Sequence, residues 1–423
     1  MKTIPKVIRW NLMLIVLSFT AALCHAQLRY VPRVAMPQWI SSDSVLLWIQ
    51  TEGPDPELQL MKSKRGQTIK PDSLLSSYSV YLYTLAVPKD GLHLLWRARP
   101  EATEKEALHI APFPKDSLVV LLGSCSYMVD APRDRPGKPY GGGYNIYESM
   151  ATQHADLMLW LGDQVYLRNK EWDTLSAIRT RYRKDRSPDS LQAFLQSTRH
   201  IGIWDDHDFG ANDADGSYAL KDSSLEVFNA FWPNGIYRNE RQHPYWYRYV
   251  SLPYADLFLL DNRSFRKAKG PMDERTILGE TQLKWLQQSL LTSKAKIKLV
   301  AMGGQLLNDA KVYETYANIA PQEREALINF ILENNIKGVV FIDGDRHHTE
   351  FCSIENGAIY DWTISPLNSG THPFPEENNT LRESGSLVSE RNYGKMVMLP
   401  NGKLRLSIHI AEGKEVWHKE LQF

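Results

Sequence analysis

Six short apolar runs between residues 118 and 342 each end in a cluster of metal- or anion-capable side chains, and no other feature of the sequence constrains the fold as strongly. The runs cover 118–122, 157–161, 201–204, 257–260, 297–302 and 338–342. They end in Gly123-Ser-Cys-Ser126, Gly162-Asp-Gln-Val-Tyr166, Asp205-Asp-His-Asp208, Asp261-Asn-Arg263, Gly303-Gly-Gln305 and Asp343-Gly-Asp-Arg-His-His348. Near-continuous apolar runs of this length are what strands buried on both faces require. Between them the spacing predicts amphipathic helices over 144–154, 225–232, 281–291 and 322–334. The last follows Pro321, a favourable first-turn residue, and repeats Ala326, Leu327, Phe330 and Ile331 at helical spacing. Such alternation predicts an α/β domain with helices outside a buried sheet. In open sheets of this kind ligands bind beyond the carboxyl ends of the strands, so the six clusters are expected to share one crevice.

The flanking segments read differently. Residues 27–112 hold short, partly alternating runs rich in aromatic and β-branched residues, separated by Gly, Pro and Asp, with no long helical period. They predict a small all-β sandwich of immunoglobulin or fibronectin type, joined through Pro112-Phe-Pro114 to a domain over 116–423. After residue 350 strands return over 357–364, 395–399 and 403–410, the last two linked by the hairpin signal Pro400-Asn-Gly402. Residues 237–249 read as an ordered loop and hairpin, and 373–392 as a loop.

Lys2, Lys6 and Arg9 precede an apolar stretch from Trp10 to Leu23, and Cys24-His-Ala26 supplies a small residue before Gln27. That is the pattern of a cleaved leader over 1–26. The run is too short for a retained span, which needs about 20 apolar residues. Bulky Leu23 disfavours lipidation at Cys24. Lys+Arg and Asp+Glu are 49 each among 423 residues, and loss of the leader's three cations leaves a net charge of −3. A mildly acidic chain carries no nucleic-acid-binding signature. Only Cys125 and Cys352 then remain, so this is no disulfide scaffold, although one bridge between them is an alternative to a free Cys125.

Asp163, Asp206, Asp345 and His347, with Asp205 and Asn212 in supporting places, offer oxygen and imidazole donors for two cations. Cys125 and Tyr166 add anionic donors that favour a trivalent or borderline metal. Two metals about 4 Å apart lower the pKa of a water and stabilise both the attacking and leaving oxygens of an in-line displacement at phosphorus. His207, flanked by two aspartates, suits a general acid for the leaving oxygen. The fork of Arg263 suits a phosphate oxygen, and Asn262 and Gln305 are further candidates for substrate contact. His348 points away from His347 in an extended segment and reads as structural.

Taken together, these motifs resemble the alkaline phosphatase D (PhoD-like) branch of the calcineurin-like metallophosphoesterases. The resemblance runs in consistent order over residues 116–372 and also takes in Trp204-Asp-Asp-His-Asp-Phe-Gly-Ala-Asn212, Leu260-Asp-Asn-Arg-Ser-Phe-Arg266 and Ser365-Pro-Leu-Asn-Ser-Gly370. It implies a two-sheet sandwich flanked by helices. It also implies Fe3+ held by cysteine and tyrosine beside one or more divalent ions, Ca2+ first, with Zn2+, Mn2+ or Mg2+ as alternatives. By the match, Cys125, Asp163, Tyr166, Asp345 and His347 fall at metal positions, Asp206 at that of a metal-binding asparagine or aspartate, and His207 at the phosphate-proximal histidine. Asn262 stands where relatives often carry threonine, and Arg346-His-His348 is bulkier and more basic than the usual ending. The implied activity is hydrolysis of small-molecule, polymer or lipid phosphoesters by an exported monomer, periplasmic or secreted. A non-catalytic phosphate-ligand binder is the competing reading. A serine hydrolase built on Ser124 or Ser126 lacks the Gly-x-Ser-x-Gly elbow.

Overall fold

The computed structural model describes residues 33–51, 56–60, 68–97, 105–130, 133–134, 140–232, 247–372 and 377–423. The leader with Cys24, most of 237–249, and Pro373 and Pro375 lie outside the described residues.

The apolar runs form parallel strands in two facing sheets. In the first, β9 (Leu118–Gly123), β10 (Leu157–Leu161) and β11 (Arg199–Ile203) run parallel. In the second, β12 (Arg248–Ser251) precedes β13 (Ala255–Leu259), β14 (Ile297–Ala301) and β15 (Val339–Asp343), with β16 (Glu350–Ile354) and β17 (Ile359–Thr363) beyond, and β13, β14, β15 and β17 are parallel. Side chains alternate between two cores, as strand geometry requires. Leu257, Leu299, Val340 and Ile342 face the first sheet. Phe258, Val300, Val339 and Phe341 face the helices Gly279–Thr292 and Pro321–Glu333 through Leu286, Leu290, Leu327 and Ile331. The latter helix starts with proline in its first turn, as the sequence predicts. The C-terminal hairpin is also found, as β18 (Asn392–Met398) and β19 (Lys403–Ile410), and β20 (Glu415–Gln422) adds an edge strand.

The N-terminal strands are β1 (Arg33–Ser41), β2 (Ser44–Thr51), β3 (Glu57–Leu60), β4 (Thr68–Ile69), β5 (Ser73–Leu75), β6 (Val80–Ala86), β7 (Leu92–Arg97) and β8 (Glu106–Ile110). They form two layers, and one layer is not separate from the rest. β1 runs parallel to β11 at Gln38 and His200, so the order is β20-β19-β18-β9-β10-β11-β1-β2-β6-β5, a single ten-stranded sheet. The other layer, β4-β3-β7-β8, stands apart. No helix among the described residues is long and apolar enough to cross a membrane.

Candidate metal centre

Both sets of parallel strands point their carboxyl ends at one place. Cys125 follows β9, Asp163 follows β10, Asp206 and His207 follow β11, and Asp345 and His347 follow β15. Ligand-capable atoms of Cys125, Asp163 and His347 lie within 4.8 Å of one another, as do those of Asp163, Asp206 and His207, and those of Asp205, Asp206 and Asp345. Asp163 belongs to two of these groups and Asp206 to two, so the clusters are continuous. A cavity of about 530 Å³ opens over them, lined by Asp163, Tyr166, Asp206, His207, Asp345 and His347 among others.

The backbone is bent to make this possible. Cys125 (φ 56°), Asp163 (54°), Asp345 (68°) and His347 (55°) all adopt the left-handed region, uncommon for any residue with a Cβ. Strain gathered in this way marks a site whose surroundings hold it in place. A Cβ at Gly162 would lie 2.6 Å from Cβ of Asp205, so glycine is required where the two loops touch. The helix Asp206–Phe209 begins with a capping box between Asp205 and Asp208. The loop after β17 completes the support. Ser365 Oγ lies 3.1 Å from Cys125 Sγ and accepts from the His347 N–H at 3.0 Å, while Asn368 pairs with both backbone polar groups of Tyr127 at 2.8 and 2.9 Å. Nδ1 of His347 meets the carbonyl of Gly370, which leaves Nε2 toward the cavity.

Charge in the centre is one-sided. Burial, with Asp206 as the next cause, raises Asp163 well above the usual carboxylate range, and burial followed by Glu314 does the same to Asp345. Burial works the same way on Asp206, but adjacent His207 and Arg263 outweigh it and hold Asp206 low. Burial pushes the Cys125 thiol up to about 12 and pulls His207 below the ordinary imidazole value. The phenol oxygen of Tyr166 is buried with only the Cys125 thiol beside it. Several acidic groups, a buried phenol oxygen and a buried thiol facing one point are the environment that a cation would relieve. The donor set of oxygen, imidazole and thiolate thus fits metals.

Three sequence-predicted substrate contacts are turned elsewhere. Arg263 is 1% exposed, with its Nε on Asp205, Nη2 3.8 Å from Asp206 and Nη1 3.5 Å from Glu314, so it is a counter-ion beneath the acidic cluster. Asn262 donates to Asp205 at 2.7 Å. Gln305 donates to Glu350 at 2.7 Å and Thr363 at 2.8 Å. None of the three lines the cavity, whereas exposed Asn212 does. Asp205 lies fully buried and off the cavity lining, within the cluster it forms with Asp206 and Asp345. Cys125 and Cys352 are both free, and His348 is buried 3.8 Å from Glu350. Sequence reasoning missed Asp213 and Glu314, which form a further cluster with Asp206. Both have positive φ and lie in loops away from any strand end, and only their acidity was there to be read.

Residues 120–373 match the PhoD-like phosphatases. The chain belongs to that family. Alkaline phosphatase D of Bacillus subtilis (strain 168) is 28% identical over 261 residues, and the match spans 49% of this chain but only 43% of that relative. Among solved structures, PhoD superposes with a TM-score of 0.70 at 19% identity, covering 91% of this chain and 88% of its own. A purple acid phosphatase from yellow lupin (Lupinus luteus) seeds gives 0.67 at 10% identity, covering 92% and 74%. At these identities the two structures speak for the fold, the metallophosphoesterase-like two-sheet sandwich expected from the motifs.

Proposed function

We propose that this chain is an exported, metal-dependent phosphoester hydrolase acting on phosphomonoesters, phosphodiesters or both. The observation that carries the reading is the continuous ligand cluster from Cys125 to His347 at the floor of one cavity, with His207 beside it, in a chain of the PhoD-like family. Export is supported by the leader pattern over 1–26.

Cys125, Tyr166, Asp163 and His347 would hold one cation, for which thiolate and phenolate favour Fe3+. Asp163, Asp206 and Asp345 would hold a divalent partner, Ca2+ being the expected one. When bound, such ions supply Lewis-acid activation of water and neutralise phosphoryl charge. The remaining work falls to the chain. Asp205 and Arg263 fix Asp206 from below, and the Gly370 carbonyl fixes the His347 ring. His207 lies tilted by 32° against Tyr166 at 4.3 Å between ring centroids and donates its backbone N–H to Asp163 at 3.3 Å, which holds the imidazole at the cavity wall. On the cavity lining, the imidazole is placed to give a proton to a leaving oxygen.

The test is hydrolysis of a chromogenic phosphodiester and its monoester by metal-replete protein. Asp163→Ala is expected to abolish turnover and lower metal content. His207→Ala is expected to keep the metals and slow turnover by about a hundredfold or more. Equal metal loss in both variants contradicts the assigned roles, and no cleavage of either ester by the metal-loaded parent contradicts the reading itself.

A further inference from the structure

Three arginines line the metal cavity among the described residues, and they differ in what they can still bind. The Arg168 side chain is 8% exposed, donates to the Met128 carbonyl at 2.7 Å, meets Asp134 at 3.3 Å and lies 4.0 Å over the Tyr127 ring. That of Arg346 is 10% exposed, pairs with Glu377 and donates to the Tyr313 carbonyl at 2.9 Å. That of Arg133 is 57% exposed and places Nη1 on Glu171, its acceptor among the described residues. A guanidinium carries five N–H donors in a planar fork, so Nε and Nη2 of Arg133 remain for a further acceptor.

This exposed head is not loose. Glu171 is buried and fixed by the Arg181 side chain, through Nε at 2.8 Å and Nη2 at 2.7 Å, and by the Arg168 N–H at 2.8 Å. The turn beneath Arg133 is tied as well. Its N–H and that of Asp134 both donate to the Asp130 carbonyl, at 2.7 and 2.9 Å. The Asp134 carboxylate accepts in return from the Asp130 N–H at 2.7 Å and the Tyr127 hydroxyl at 2.8 Å. One corner of the fork is thus anchored while the rest is exposed on the cavity lining. A single exposed ion pair adds little to stability, but a fork held in this way gives up less freedom when it takes an oxyanion.

Resting on the phosphoester reading above, we propose that Arg133 is a specificity residue that binds a second anionic group, a carboxylate or a phosphate, on the organic part of the substrate. A cavity of about 530 Å³ has room for that organic part beside the phosphoryl group. The phosphoryl group belongs over the ligand clusters, and Glu171, which holds Arg133, lies outside them. Elsewhere on the wall Asp213 and Glu314 cluster with Asp206, which disfavours an anion there. The second anion is therefore drawn to the Arg133 side.

The test is calorimetric titration of alkyl phosphonates, whose carbon–phosphorus bond ester hydrolysis does not cut, into the full-length, metal-replete protein and its Arg133→Gln variant. Chains of increasing length ending in a carboxylate, in a second phosphonate or in a neutral hydroxyl are compared, with metal content and thermal midpoint measured on both proteins. At one chain length the parent is expected to bind an anionic-ended ligand about tenfold more tightly than its hydroxyl counterpart, as for hydrogen bonds to a charged group. The better of the two anionic ends tells carboxylate from phosphate. The variant is expected to lose that preference while its affinity for the hydroxyl series, its metal content and its midpoint stay unchanged. No preference in the parent at any length overturns the proposal, and so does a preference that survives in the variant. Equal weakening of every ligand in the variant also overturns it, since Arg133 would then serve the phosphoryl group itself. If the metal-loaded parent binds no phosphonate at all, the phosphoester reading fails first and the role of Arg133 with it.

Discussion

The carboxylate of Asp208 accepts from three backbone N–H groups, those of Asp163 at 2.6 Å, Val165 at 2.9 Å and Asp205 at 3.0 Å. It therefore ties the loop after β10 to the turn after β11 and holds the left-handed peptide of Asp163 in place. Burial pushes its carboxyl up to about 8, with the three donors working in the other direction. Asp208→Asn keeps the shape but turns one acceptor into a donor facing donors. We expect metal affinity to fall about 10- to 100-fold, as for other groups that orient a ligand without binding the ion, and hydrolysis to fall with it. Metal titration of the variant at unchanged far-UV dichroism checks this, and parent-like affinity would contradict it. The candidate ligands were legible in the sequence because each stands just after an apolar run, but nothing there marked which polar neighbours turn inward. Asp208 sits beside His207 in the same motif yet serves the backbone. Arg263, chosen for its fork, spreads it over Asp205, Asp206 and Glu314. Arg133 and Glu314 lie in loops where no period or strand end marks them.

The buried parallel strands were legible because their burial is apolar, and at least one helix was illegible because its burial is charged. β9, β10, β13, β14 and β15 fall within two residues of the runs that predict them. The helix Leu175–Arg186 escapes sequence reading because its buried face consists of Ile178, Arg181, Tyr182, Asp185 and Arg186. The spacing is helical, but three of the five side chains are charged. Arg181 is neutralised inside by Asp130 at 2.9 Å, Glu171 at 2.7 Å and Asp185 at 3.2 Å. A buried polar residue also governs the junction of β10, β11 and the helix Asp189–Ser197. His200 accepts from the Trp160 indole at Nδ1, 3.1 Å away, and donates from Nε2 to the Leu195 carbonyl at 3.0 Å. Both nitrogens are used by the neutral ring, and burial lowers its pKa to about 3. The unfolded chain takes up this proton near pH 6.5, which the fold refuses, so the contribution to stability is complete above pH 6.5 and is lost as pH falls toward 3. Urea unfolding of the parent should lose up to about 1.4 kcal/mol per pH unit from this residue in that window. His200→Gln should be less stable at pH 8 and lose stability less steeply on acidification. Parallel pH profiles for parent and variant would show that His200 does not carry the slope.

The strands β1, β2 and β6 make the N-terminal and C-terminal portions of the molecule a single packing unit. Along β2, Leu46 and Trp48 join the core shared with β9, β10 and β11, while Val45, Leu47 and Ile49 join the core shared with β7 and β8. β1 alternates in the same way, with Val34 and Met36 on one side and Ala35 on the other. A sheet with both faces buried cannot be cut at residue 112 without exposing one core to water. Sequence reading expects a separate sandwich there because short alternating strands look alike whether their second face meets solvent, a partner layer or another domain. Polar contacts reinforce the union. The Trp48 indole donates to the Ala230 carbonyl at 2.8 Å, Gln38 donates to that of Phe231 at 3.0 Å, and Arg186 lies 3.9 Å over the Trp232 ring. The helix Lys221–Phe231, which these residues grip, packs on Trp204 through Phe228, and Trp204 directly precedes the aspartates of the centre. Trp48→Ala removes a fully buried indole at this seam and should cost about 3–5 kcal/mol. Because the seam belongs to both cores, that loss should lower one cooperative transition seen identically by tryptophan fluorescence, far-UV dichroism and calorimetry. Two separated transitions, with the metal-dependent one unmoved by the substitution, would mean that the N-terminal strands fold and melt on their own.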